Sequence, residues 1–151
     1  MDFLPVFLDI KDKSVLVAGG GEVAARKVSL LLQAGARVRV ISPDICPNLR
    51  TLSEDGAIEH EQREYRDGDL DGCNLAYAAT DNPEANRKVS EDAKARQLPV
   101  NVVDQPELCS FITPSIVDRS PVVVAVSTGG ASPVLARLIR SRLESVIPAG
   151  Y

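Results

Sequence analysis

The sequence predicts an α/β fold: a parallel sheet with helices on both faces, followed by an antiparallel hairpin and one further helix. Three observations carry this. Strand-like and helix-like runs alternate over residues 14–103, the pattern that builds parallel βαβ units. The first strand-like run, Ser14-Val15-Leu16-Val17-Ala18, enters Gly19-Gly20-Gly21, and a helical pattern starts at once. After Val103 the alternation stops, and two β-rich runs flank a tight polar turn.

Residues 1–9 are short and apolar, with Leu4, Val6, Phe7 and Leu8, and are expected to lead into the sheet or pack on its edge. Lys11-Asp12-Lys13 is a polar turn. The glycine turn follows the first strand as Gly19-x-Gly21-x-x-Ala24, a dinucleotide fingerprint with Ala in the third place. Gly19 lets the chain leave the strand in a tight turn. Gly21, lacking a Cβ, admits a pyrophosphate to the backbone, and Ala24 lets the helix pack close to the sheet. The helix end then offers its free N–H groups to the phosphates. Apolar residues at Val23, Ala24, Val28, Leu31 and Leu32 give that helix its face, and Gly35 closes it.

Arg37-Val38-Arg39-Val40-Ile41 is the second strand, parallel to the first because a helix lies between them. At its end stand Ser42, Pro43 and Asp44. A dinucleotide fold commonly has an acid here for the ribose hydroxyls; this chain has Ser42, with Asp44 slightly late. No Arg or Lys occurs over residues 42–49, which favours NAD over NADP. The same tripeptide can equally start a helix through Cys46 to Glu54. Residues 57–61 form a short strand and 63–72 a charged loop. The fourth strand, over 73–80, ends in small residues, Ala78, Ala79 and Thr80, which suit close approach of a cofactor. Asn82 caps the next helix with Pro83 in its first turn. The fifth strand covers 98–103 and ends at Asp104, where open α/β sheets hold their ligands. Pro106 is expected to keep a helix from starting there.

Beyond this point, Phe111-Ile112-Thr113-Pro114 is expected to form a short strand. Runs at 115–117 and 122–126 around Asp118-Arg119-Ser120-Pro121 form the hairpin. A second glycine-rich loop, Ser127-Thr128-Gly129-Gly130, precedes a helix capped by Ser132. A hairpin and one amphipathic helix cannot close a core alone. They need a partner subunit or more chain.

Bulk properties exclude several classes. At 151 residues, 44% hydrophobic and 25% charged, the chain is an ordinary globular length. No apolar run approaches the roughly 18 residues of a membrane span. The start has neither basic residues nor a signal-peptide core, so the cytoplasm is expected. Cys46, Cys73 and Cys109 form no metal-binding or disulfide pattern, and no metal site is expected. A net charge of −4 argues against nucleic acid as a partner.

Five separated motifs together resemble a known family. They are Gly19-Gly20-Gly21-x-Val23-Ala24-x-Arg26-Lys27, Ala78-Ala79-Thr80-Asp81, Asn101-Val102-Val103-Asp104, Phe111-Ile112-x-Pro114-Ser115-Ile116-Val117-x-Arg119, and Ser127-x-Gly129-Gly130-Ala131-Ser132-Pro133-x-Leu135-Ala136-Arg137. In this order they look like the precorrin-2 dehydrogenase/sirohydrochlorin ferrochelatase module of siroheme synthase. The resemblance implies a Rossmann domain over 1–113 and a dimerisation region over 114–151, the family module continuing into helices past Tyr151. It implies a homodimer, NAD as oxidant, and a reduced octacarboxylate tetrapyrrole, precorrin-2, as substrate. Sirohydrochlorin would then take up ferrous iron. Asp104 would carry the chemistry. Glu22, Val23, Pro43 and Asp44 would join Gly19, Gly21, Ala24, Ser42, Ala79, Thr80 and Asn101 around the cofactor. Where some members carry a phosphorylatable serine, this chain has Thr128 after Ser127. Eight substrate carboxylates require local cations in an acidic protein. Arg119, Arg137 and Arg140, near the loop of Ser127, Thr128, Gly129 and Gly130, are the candidates. The alternatives are a dehydrogenase served by a separate chelatase, or a non-catalytic NAD-sensing module, which would need only residues up to about Val103.

Overall fold

A computed structural model describes residues 1–150. Tyr151, the last residue of the region expected over 114–151, lies outside the described residues. The chain forms two compact units, Val6–Phe111 and Met1–Pro5 with the chain from Ile112 on.

The first unit is built on five parallel strands: β1 (Ser14–Ala18), β2 (Arg37–Ile41), β3 (Glu59–Glu61), β4 (Leu75–Ala78) and β5 (Val100–Val102). Their order is β3-β2-β1-β4-β5, with every pair parallel. Three helices cover the sheet: α1 (Glu22–Gln33), α2 (Pro47–Glu54) and α3 (Pro83–Ala95). Alternation along β1 sorts its side chains between two cores. Val15 and Val17 pack with Ala24, Val28 and Leu31 of α1 and Leu49 of α2. Leu16 and Ala18 pack with Val89 and Ala93 of α3. A strand buried on both faces reads as a continuous apolar run, and β1 does from Val15 to Ala18.

Local signals act where they stand. Gly35, at φ 81°, ends α1 in a Schellman motif, with Gly35 N–H donating to Leu32 O and Ala36 N–H to Leu31 O. Asn82 caps α3 through its Oδ1, which accepts from Glu84 and Ala85 N–H.

Two expectations are corrected, at residues 111–114 and at Pro106. Residues 1–9, expected to lead into the sheet or pack on its edge, add no strand and border the β5 edge at Val6 and Leu8. The outer edge of β5 is already taken: Ser110 N–H donates to Val100 O, Val100 N–H to Ser110 Oγ, and Val102 N–H to Cys109 Sγ. Val6 and Leu8 only border a shallow groove there with Leu98, Pro99 and Phe111. Residues 111–114 form no strand either. The Phe111 carbonyl accepts from Asn101 Nδ2 at 3.1 Å, its ring stands edge-on to Tyr77 at 5.6 Å, and Pro114 has no N–H to give a ladder. A 3₁₀ turn, Pro106–Leu108, does start at Pro106, since proline suits the first helical position.

In the second unit, β6 (Ser115–Arg119) pairs antiparallel with β7 (Val122–Val126), and α4 (Pro133–Val146) follows. Val117 and Ala136 are buried. Val134, Leu135, Leu138, Ile139 and Val146 of α4 remain exposed.

Candidate functional site

The sheet reverses its winding between β1 and β4, and the crevice at the carboxyl ends of those strands is the ligand position of open α/β sheets. The three glycines that follow β1 do different things there. Gly19 has φ 129°, and a Cβ on it would stand 2.7 Å from the Ala79 carbonyl carbon. It brings the β1 and β4 loops into contact. Gly20 lies against the β2 loop: a Cβ would overlap the Asp44 carbonyl oxygen and approach Ser42 Oγ to 2.6 Å. Gly20 O also accepts from Cys46 N–H at 2.7 Å. Sequence reasoning gave Gly20 no task, because its neighbours lie more than 20 residues away. Gly21 is different. A Cβ there meets nothing within 4 Å, and Gly21 is the N-cap of α1 with no side-chain cap. The cradle is open on its solvent side, as a pyrophosphate at a helix N-terminus requires.

The remaining predicted cofactor residues line the same strand ends. Glu22 and Val23 form the first turn of α1, and Ala24 is fully buried beneath it. Ser42 is buried, its hydroxyl donating to Asp44 O at 2.6 Å, so it shapes the loop that exposes Pro43 and Asp44. Ala79 and Thr80 follow β4. Thr80 is fastened by buried Asn86, whose Oδ1 accepts from Thr80 N–H and Oγ1 and whose Nδ2 donates to Thr80 O. Asn101 lies in β5 opposite Tyr77 and spends its amide on Phe111 O.

Asp104 is exposed in the turn after β5 with φ 61°, a left-handed conformation that Asp and Asn tolerate better than other side chains. One neighbour escaped sequence reasoning beyond its place in a motif. Lys27, in the second turn of α1, is half-buried, and its Nζ lies 5.9 Å from the Tyr77 ring centroid. Burial and Arg26 lower its pKa, while Asp104 and Cys109 act in the opposite direction. No spacing rule connects a helix residue to the end of a strand more than 70 residues away.

Cys109 and His60 are each engaged with backbone. Burial pushes the Cys109 thiol up, and its Sγ bonds to the β5 backbone. His60 Nε2 lies 2.9 Å from Ser42 O. Among the described residues no group of three His, Cys, Asp or Glu could hold a metal ion.

The second-unit candidates are seen within that unit. Arg119 Nε donates to Ile147 O at 3.2 Å and Nη1 to Asp118 O. Ser127 Oγ accepts from Gly129 N–H, and Thr128 Oγ1 from Ser132 N–H. Gly129 and Gly130 both have positive φ. Arg137 is exposed on α4, and Arg140 pairs with Glu144 at 3.6 Å.

A family model described as putative NAD(P)-binding matches residues 6–115. The chain belongs to the putative NAD(P)-binding family. A second model, sirohaem biosynthesis protein central, matches residues 119–145. The chain is 62% identical over 151 residues to a siroheme synthase of Thioalkalivibrio sulfidiphilus, covering all of the chain and 31% of that relative. It is 58% identical to a siroheme synthase of Pseudomonas aeruginosa, covering 32% of it. The chain thus spans about a third of the length of these relatives. Among solved structures, SirC, a precorrin-2 dehydrogenase, superposes with TM-score 0.82 at 29% identity, covering 97% of this chain and 72% of that one. The siroheme synthase likeness read from the five motifs is borne out, and so is the α/β architecture with its separate hairpin and helix. No described helix is long and apolar enough to cross a membrane.

Proposed function

We propose that the chain catalyses NAD-dependent dehydrogenation of precorrin-2 to sirohydrochlorin, a step of siroheme biosynthesis. The observation that carries this reading is an exposed carboxylate, Asp104, at the end of β5 in a sheet whose crevice has an open glycine cradle. Bound NAD supplies the hydride acceptor. The Gly19–Gly21 backbone and the N-terminus of α1 hold its pyrophosphate. Asp44, with no Arg or Lys over 42–49, suits a ribose hydroxyl rather than a 2′-phosphate. Asp104 accepts the proton released as the substrate gives up a hydride, the work of a general base. Once that proton has passed to solvent, the same carboxylate accepts the two pyrrole N–H protons in turn, releasing each to solvent, as sirohydrochlorin takes ferrous iron, which is a substrate here.

The exposed apolar face of α4 supports a homodimer built on the second unit, since such faces are a liability in a monomer. Three free thiols suit a reducing, cytoplasmic compartment.

The test is Asp104→Asn, which keeps the shape and a left-handed backbone while removing the basicity. Sirohydrochlorin formation, followed by absorbance with precorrin-2 and NAD, should fall by about 10²–10⁴, with NAD affinity unchanged. Oxidation at the parent rate would sink the assignment. Asp104→Ala is the poorer probe, because an alanine at φ 61° carries about 1–2 kcal/mol of backbone strain.

A further inference from the structure

We propose that Lys27 is a substrate-binding residue whose ammonium pairs with a carboxylate of the tetrapyrrole beside Asp104. This deepens the dehydrogenase reading and rests on it. Lys27 is half-buried, yet among the described residues its Nζ makes no hydrogen bond or ion pair; its only direct partner is the Tyr77 ring. A partly desolvated cation without an acceptor is costly, and an anionic ligand would relieve that cost. Burial already holds its pKa down, as expected of an ammonium short of water and of partners.

Position selects which anion. The pyrophosphate cradle is the Gly19–Gly21 turn at the start of α1, whereas Lys27 lies more than one turn further along. Its ammonium reaches over Tyr77 of β4, the residue paired with Asn101 of β5, and lies within electrostatic reach of Asp104. That is the side of the crevice where the proton acceptor emerges. A substrate with eight carboxylates must find cations in a protein of net charge −4. Lys27 offers one close to the reacting carboxylate, whereas Asp104, itself a carboxylate, repels a substrate carboxylate.

The experiment titrates sirohydrochlorin and, separately, NAD into the parent protein, Lys27→Met and Lys27→Arg. Lys27→Met should weaken sirohydrochlorin binding by about 10- to 100-fold, the range for a hydrogen bond to a charged group. NAD affinity should stay within about twofold, which also reports that the variant is folded, and Lys27→Arg should recover most of the tetrapyrrole affinity. Unchanged sirohydrochlorin binding by Lys27→Met overturns the proposal. So does a loss confined to NAD, which would make Lys27 a phosphate ligand. If the parent protein itself binds no sirohydrochlorin, the dehydrogenase reading fails first, and the two failures are distinguishable.

Discussion

Gly21→Asp separates the cofactor cradle from the fold. Gly21 is the N-cap of α1 at φ −88°, ψ −169°, an extended conformation open to any residue, and its Cβ position is empty to 4 Å. Aspartate is among the best N-cap residues and exceeds glycine by a few tenths of a kcal/mol. The variant should therefore melt at or slightly above the parent temperature. Binding behaves in the opposite way. A carboxylate about 4 Å from one pyrophosphate charge costs about 4 kcal/mol at an effective dielectric of 20, close to a thousandfold in Kd. The assay is calorimetric titration of NAD beside a thermal melt of the same sample. Unchanged NAD affinity in a folded variant would refute the cradle. A melt lowered by many degrees would refute the open geometry at Gly21.

The neighbouring glycine should respond in reverse: Gly20→Ala forces a methyl into the Asp44 carbonyl, so urea melts should record a loss of about 3 kcal/mol, the upper range of overpacking, and an unchanged midpoint would contradict the contact. Asp69 is buried and takes two hydrogen bonds from Arg63 and one from Arg66 N–H. Burial works to raise its pKa, but these bonds and the charges of Arg63 and Arg39 hold it below the usual 3.8. A depressed carboxyl stabilises the fold above its unfolded pKa, and that contribution disappears as pH falls through the lower folded value. Melting temperature should thus drop below about pH 4, where an unfolded aspartate titrates. Asp69→Asn should flatten that acid limb, and an identical limb would remove Asp69 from the account. Leu138→Asp, on the exposed face of α4, should convert a dimer into a monomer by light scattering, and a parent protein already monomeric would refute the proposed interface.

Much of this architecture is set by short-range chemistry. The Gly35 terminus of α1, the Asn82 cap of α3 and the Ser132 cap of α4 each involve hydrogen bonds within a few residues. The apolar run of β1 and the glycines after it identify strand, turn and helix without reference to the rest of the chain. Asp104 is recognisable because a strand pattern ends there.

Other features depend on residues far apart in sequence. Gly20 is required by Asp44, and Gly19 by Ala79, so their constraints exist only once β2 and β4 flank β1. The N-terminal segment stays out of the sheet because Cys109 and Ser110 return to cover the edge of β5. Lys27 acquires its surroundings when α1 lies across β4, with Tyr77 beneath its ammonium and Asp104 near it. Hydrogen-bond periodicity and capping act between near neighbours, so the sequence alone determined the parallel strands, the hairpin, the helices α1 to α4 and their order along the chain. Steric exclusion and desolvation act between whatever surfaces packing brings together, so only the tertiary structure decided which glycine is indispensable, which edge is closed and which lysine is half-buried over an aromatic ring.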